Sequence, residues 1–218
     1  MTDVIKDLSE LRLSYQRAEL HENQVATQPH TQFLTWFNAA LACNLHEPYA
    51  MYVATASKTG VPHVRTLLLR GATEQGYDFY SNYDSLKGRD LAENPQVQLL
   101  FYWAELEQQI RISGRIEKIS LEESTDYYQK RPRDSQIAAH VSTPQSGVIA
   151  SRETLQQRFD AAFSQYQDIE KLPKPEFWGG YRLIPDYYEF WQGRPNRLHD
   201  RIIYEKRSND WVIERLMP

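Results

Sequence analysis

From residue 49 onward the chain is a succession of short β-branched and aromatic runs separated by turn-forming residues: "YAMYVATAS", "VPHVRTLLLR", "GYDFYSN", "QVQLLFYW", "QQIRISGRIEKI", then "FWGGYRLIP", "DYYEFWQG", "HDRIIYEK" and "WVIERL". Such runs read as strands. Links as short as "KTG" and "RSND" join antiparallel neighbours, because a parallel pair needs a crossover of a dozen or more residues. A many-stranded antiparallel sheet exposes its edges unless it closes. The pattern therefore predicts an α+β fold centred on an antiparallel barrel with helices packed outside it.

The helices are read from a different period. Phe33, Trp36, Phe37, Ala40 and Leu41 recur at helical spacing and predict a helix over 30–44 with one apolar face; Cys43 lies in this pattern and reads as a buried, inert thiol. The stretch 7–22 has helical spacing of Leu8, Leu11 and Tyr15 but is highly charged, which predicts a partly exposed helical arm over 1–28, with a single domain from 29 to 218. A short helix fits "DSLKGRDLAEN". Ser120 and Glu123 form a capping box that opens a helix ending before Pro132, and another is predicted over 151–166. Between these two, "PRDSQIAAHVSTPQSGVIA" reads as a surface loop.

Composition limits the partners. A net charge of -4 argues against a protein that coats nucleic acid or an anionic membrane, so positive charge must act locally. With no apolar run near the ~18 residues that span a bilayer, and no basic or apolar leader pattern at the start, no membrane role is expected and a cytoplasmic location is. The lone cysteine and the lack of paired Cys or HExxH spacing imply no metal site.

Local positive charge occurs in four places. Arg65 and Arg70 flank "TLLL"; their spacing of five puts them on opposite faces of a regular strand, so they are two surface arginines on an edge strand, or a bulge or strand end brings both to one ligand. "SNYDSLKGRD" offers a helix start capped by Asp84 or Ser85 with Lys87 in the first turn, either an ordinary surface helix or the outline of a phosphate cradle. "YYQKRPRDSQ" collects Tyr127, Arg131, Arg133 and Ser135, either at the start of a solvated loop or as forked donors for phosphate oxygens. In "EFWQGRPNRLHDR", an extended backbone from Arg197 onward places Arg197, His199 and Arg201 on one face, near Trp191. Like charges in a row ask for an anion or an electron-rich ring between them; the alternative is a plain edge strand whose basic residues block aggregation. Together the clusters point to binding of phosphate and a planar ring.

The motifs "RTLLLR", "FYSN", "SLKG", "RPRDSQI", "QS", "FWGGYRL", "EFWQG", "RLHDR" and "ERLMP", in this order and spacing from about Arg12 to Pro218, resemble the pyridoxamine 5′-phosphate oxidase family. The resemblance implies a split β-barrel that binds FMN at the subunit interface of a homodimer. It also implies oxidation of pyridoxine or pyridoxamine 5′-phosphate to pyridoxal 5′-phosphate, with O2 as acceptor and H2O2 released. The flavin would then contact Arg65, Thr66, Leu67, Leu68, Leu69, Arg70, Tyr80, Ser81, Lys87, Gln109, Gln145, Ser146, Trp191 and Arg201. Arg70, Tyr127, Arg131 and Ser135 would hold the substrate phosphate. Arg197, Leu198 and His199 would border the pyridine ring, with Arg197 and His199 the catalytic pair, and Arg12, Leu13, Ser14 and Tyr15 would belong to a lid. Three departures stand out: Arg70 replaces the family's usual lysine, Leu86 stands where an arginine is common, and Pro144 is an apparent insertion before "QS". The competing readings are another flavin oxidoreductase of the same barrel, a non-catalytic flavin or pyridoxal-phosphate binder, and a single-stranded nucleic-acid binder, the last disfavoured by charge.

Overall fold

The computed structural model describes Leu11 and residues 14–218. Arg12, Leu13 and the first part of the expected arm lie outside the described residues. Among the described residues nine strands and five α-helices follow one another: α1 (Pro29–Ala42), β1 (Ala50–Ala56), β2 (Pro62–Leu68), β3 (Gly71–Thr73), β4 (Gly76–Asn82), α2 (Leu86–Glu93), β5 (Gln96–Trp103), β6 (Gln108–Lys118), α3 (Leu121–Lys130), α4 (Arg133–Val141), α5 (Arg152–Tyr166), β7 (Trp178–Gln192), β8 (Asp200–Arg207) and β9 (Asp210–Arg215). Hydrogen bonding orders the strands β2-β1-β5-β6-β7-β4-β3, with β8 on β7 and β9 on β8. The contacts divide the chain into two compact units.

The larger unit comprises Tyr49–Phe101 and Ile112–Asp186. Two of its strands alternate as half-buried strands should: Met51, Val53 and Thr55 on β1 and Val97, Leu99 and Phe101 on β5 point inward. β1 pairs with β2 and β5, and β4 pairs with β3 and β7, all antiparallel. A second cluster of Tyr128, Ile137, Val141, Leu172 and Trp178 is formed under α3, α4 and α5. Ser120 caps α3 as expected, accepting the Glu123 N–H at 3.1 Å while its hydroxyl donates to the Glu123 carboxylate at 3.2 Å.

The smaller unit comprises Met1–Pro48, Tyr102–Arg111 and Tyr187–Pro218. In it, α1 buries Phe33, Trp36 and Ala40, with the Trp36 ring edge-on to Phe190 at 5.3 Å. The end of β7 pairs with β8, and β8 with β9.

Four expectations are corrected. Residues 133–141 form α4 instead of a loop, because Ile137 and Val141, one turn apart, bury into the second cluster. Cys43 is exposed because it is the C-cap of α1, one residue beyond the last helical residue, so the helix no longer packs it against the core. "FWGGYRLIP" and "DYYEFWQG" form one strand: Pro185 falls between the last β4 partner, Leu183, and the first β8 partner, Tyr187, where the missing N–H breaks neither ladder. Residues 14–28 form no helix. Backbone N–H groups there go to side chains instead of i−4 carbonyls: Glu107 Oε2 accepts from Gln16 and Arg17 at 2.9 Å each, and Asp200 Oδ2 accepts from Leu20 at 3.1 Å.

Candidate functional site

Two groups of cations lie in the larger unit. In the first, β2 carries Arg65, which uses Nη1 to donate to Val53 O at 2.8 Å and Thr55 Oγ1 at 2.9 Å. Ser85 caps α2 by accepting the Gly88 N–H at 3.2 Å. Gly88 is required here, because a Cβ would lie 1.9 Å from Tyr83 O. Lys87 folds back to donate to Ser81 Oγ at 2.9 Å and Ser85 Oγ at 3.1 Å. Burial, and then the charge of Arg65, push the Lys87 ammonium down to about 8. Two partly buried cations beside hydroxyls form a receptor for an anion.

The loop at 145–146 joins this group. Ser146, at φ 68°, accepts the Leu86 N–H at 3.4 Å, and the buried Gln145 Oε1 has no hydrogen-bond partner among the described residues. Thr66, Leu67 and Leu68 lie opposite Tyr52, Met51 and Ala50 of β1, and the Leu69 N–H donates to Tyr49 O at 2.9 Å. These residues present a strand edge beside Arg65.

The second group forms around Trp178. Arg131 stacks its guanidinium over the Trp178 ring at 4.7 Å and leaves Nη1 buried without a hydrogen-bond partner among the described residues. Burial lowers its pKa, and Arg70 is near enough to lower it further. Arg65 and Arg70 thus fall in different groups of cations and do not converge on one point. Tyr127 stacks on Tyr80 at 3.7 Å, and burial pushes the Tyr80 hydroxyl up to about 12. Ser135 lies in the first turn of α4. Arg133, in contrast, donates to the carbonyls of Tyr166 and Ile169 at 2.5 and 2.6 Å and so closes the end of α5. An unmatched buried guanidinium N–H next to a second cation demands an acceptor.

The smaller unit holds the aromatic group. Trp191 and His199 lie 4.7 Å apart, and Tyr15 meets both, at 5.7 and 5.8 Å. Gly193 makes room, since a Cβ there would lie 2.6 Å from the Tyr15 ring. A cavity of about 630 Å³ is lined by Ser14, Tyr15, Arg194, Arg197 and His199, among others. The expected row of Arg197, His199 and Arg201 on one strand face is not formed. β8 begins only at Asp200, and Asn196 and Arg197 take left-handed φ values of 57° and 62°. Arg197 and His199 still share the cavity, and Leu198 between them is 68% exposed.

The Arg194 N–H donates to His199 Nδ1 at 3.1 Å, so the neutral ring carries its proton on Nε2. Burial, and then the charge of Arg197, lower the His199 pKa and favour that neutral form. Arg201 is engaged elsewhere: it donates to Glu189 at 2.8 and 3.0 Å and to Met217 O at 2.8 Å. Glu189 also pairs with Arg111 and accepts from Tyr187 at 3.2 Å. Burial would raise the Glu189 carboxyl, but Arg201 and Arg111 outweigh it and hold it low. Sequence reading missed Arg111, although an acid inside the aromatic run "DYYEFW" signals a cation partner. Gln109 is half-buried on β6.

Comparison with known proteins gives a consistent result. A family model described as pyridoxamine 5′-phosphate oxidase matches residues 37–166, and one described as the pyridoxine 5′-phosphate oxidase C-terminal dimerisation region matches 178–218. A pyridoxine/pyridoxamine 5′-phosphate oxidase of Acinetobacter baumannii is 72% identical over 218 residues, covering 100% of both chains. One from Deinococcus deserti is 50% identical over 97% of this chain and 99% of its own. Among solved structures, PhzG from Burkholderia lata, in complex with tetrahydrophenazine-1-carboxylic acid, has a TM-score of 0.84 at 30% identity, covering 90% of this chain and 95% of its own. An FMN-binding protein from Nostoc punctiforme related to pyridoxamine 5′-phosphate oxidase has a TM-score of 0.71 at 16% identity, covering 89% and 100%, and shares the fold.

Proposed function

The chain belongs to the pyridoxamine 5′-phosphate oxidase family, with its antiparallel split-barrel fold, and we propose that it is an FMN-dependent oxidase converting pyridoxine and pyridoxamine 5′-phosphates to pyridoxal 5′-phosphate. The alcohol and O2 give the aldehyde and H2O2; the amine, O2 and water give the aldehyde, H2O2 and ammonia. The observation that carries this reading is the presence of two separate pairs of cations, Arg65 with Lys87 and Arg70 with Arg131, which suit a phosphorylated cofactor and a phosphorylated substrate.

The residues fit FMN: Lys87, Arg65 and Ser81 would hold its phosphate, and the unpaired Gln145 Oε1 would accept from a polar ring edge. Bound FMN supplies the two-electron acceptor that O2 regenerates. The protein's own work is to bind and orient. Arg131 Nη1, Arg70, Tyr127 and Ser135 would fix the substrate phosphate, making the transfer effectively unimolecular. His199, with its proton on Nε2, would donate to the ring's phenolic oxygen, and Arg197 would stabilise negative charge developing there. Leu86, 38% exposed beside Lys87, removes a cation that the family commonly has and predicts weaker FMN retention. The active form is proposed to be a homodimer with FMN at the subunit interface, consistent with the match to a dimerisation region.

The purified protein with FMN should lose its yellow colour when pyridoxine 5′-phosphate is added without oxygen. On admitting air, colour should return with peroxide and aldehyde in equal amounts. If no bleaching occurs the oxidase reading fails, and bleaching only by unphosphorylated rings would move it to another flavin oxidoreductase.

A further inference from the structure

Thr55 is 3% exposed and Asp90 4%. The Thr55 hydroxyl donates to Asp90 Oδ2 at 2.6 Å and accepts from Arg65 Nη1 at 2.9 Å. His63 Nδ1 meets the same carboxylate oxygen at 2.9 Å. A hydroxyl has one proton, so giving it to Asp90 turns its lone pairs toward Arg65. The second acceptor of Arg65 Nη1, Val53 O, completes the fork's orientation. Nη2 and Nε make no hydrogen bond among the described residues and remain available to a ligand.

The two cations of this group come from different elements, Arg65 from β2 and Lys87 from α2. Thr55 belongs to β1 and Asp90 to α2, so their hydrogen bond ties the helix carrying Lys87 to the strands carrying Arg65. The buried carboxylate also offsets the repulsion between the two cations. We propose that Thr55 and Asp90 are positioning residues that set the separation and aim of Arg65 and Lys87, and so determine affinity for the phosphate of the flavin cofactor. This rests on the reading of Arg65 and Lys87 as the flavin phosphate receptor.

The test compares affinities of the apoprotein for FMN and for riboflavin, which lacks the phosphate, by quenching of flavin fluorescence. Thr55→Val should raise the Kd for FMN about tenfold or more, the scale of a charge-assisted hydrogen bond, and leave riboflavin unchanged within about twofold. Thr55→Ser should restore FMN binding. Asp90→Asn, which keeps the shape but loses the charge, should also weaken FMN selectively and serves if the valine variant fails to fold. Equal losses for both flavins, or an unchanged FMN Kd in Thr55→Val where Arg65→Ala weakens it, would overturn the positioning role. If Arg65→Ala itself leaves FMN affinity unchanged, the assignment of the phosphate receptor falls instead.

Discussion

Arg131 carries an unmet demand, a buried guanidinium N–H with nothing to donate to among the described residues. A charged hydrogen bond is worth about 1.5–3 kcal/mol, so Arg131→Ala should raise the KM for pyridoxine 5′-phosphate roughly tenfold to a hundredfold. FMN content should be unchanged; steady-state kinetics with a flavin spectrum checks both. Lys87 gives a pH dependence with a definite sign. Its ammonium falls from an ordinary 10.5 to about 8, so as pH rises through about 8 the apoprotein loses a cation and FMN affinity should decline. Stability moves the other way. The unfolded chain keeps its Lys87 proton up to 10.5, binds the extra proton between about 8 and 10.5, and so the folded apoprotein gains stability as pH rises through that window. Fluorescence titration across the window should show the affinity loss in the wild type and a flat profile in Lys87→Met. At this scale the sequence was informative where one residue type has one local job, as in the Ser120 and Ser85 caps. It was silent on the left-handed backbone of Arg197, which no strand pattern announces.

At the scale of elements, β-branched and aromatic runs located the long strands, whether one face is buried as in β6 or both as in β4, while β3, three residues long, is too short to stand out. Helix α4 was hidden for a similar reason: a helix of nine residues buries only a turn and a half, and Ser, Thr and Pro flank it. Yet it positions the second cation group. Gln136 Nε2 donates to Arg131 O at 2.9 Å, and the Tyr128 hydroxyl donates to Gln136 O at 3.0 Å. Ile137 is 1% exposed at the centre of the cluster. Ile137→Ala should therefore destabilise the protein by about 2–5 kcal/mol, and the loosened helix should raise substrate KM more than it changes FMN affinity. Chemical denaturation and kinetics on the same preparation measure the two effects. Equal loss of both ligands would mean that α4 supports the larger unit as a whole.

For the whole molecule, the net charge of -4 and the cation groups are compatible because each cation is placed against hydroxyls, rings or a compensating acid. Neither unit's boundaries were legible, since three of the strands, β5, β6 and β7, carry residues of both units and no linker composition marks the change. Assembly is testable without any knowledge of the contact surface. If two chains unfold together, each tenfold rise in chain concentration adds about 1.4 kcal/mol to the dimer. With an unfolding entropy near 0.9 kcal/mol/K for two such chains, Tm should rise roughly 1.5 °C per tenfold. Saturating FMN acts separately. At a hundredfold excess over its Kd each site contributes about 2.7 kcal/mol, which for two sites raises Tm by about 6 °C at any chain concentration. Thermal scans over a hundredfold range of protein, with and without FMN, should give two parallel rising lines. A Tm that ignores chain concentration would mean that the chain unfolds as a monomer, and a gap between the lines that vanishes in Lys87→Met would place the cofactor's contribution at that cation.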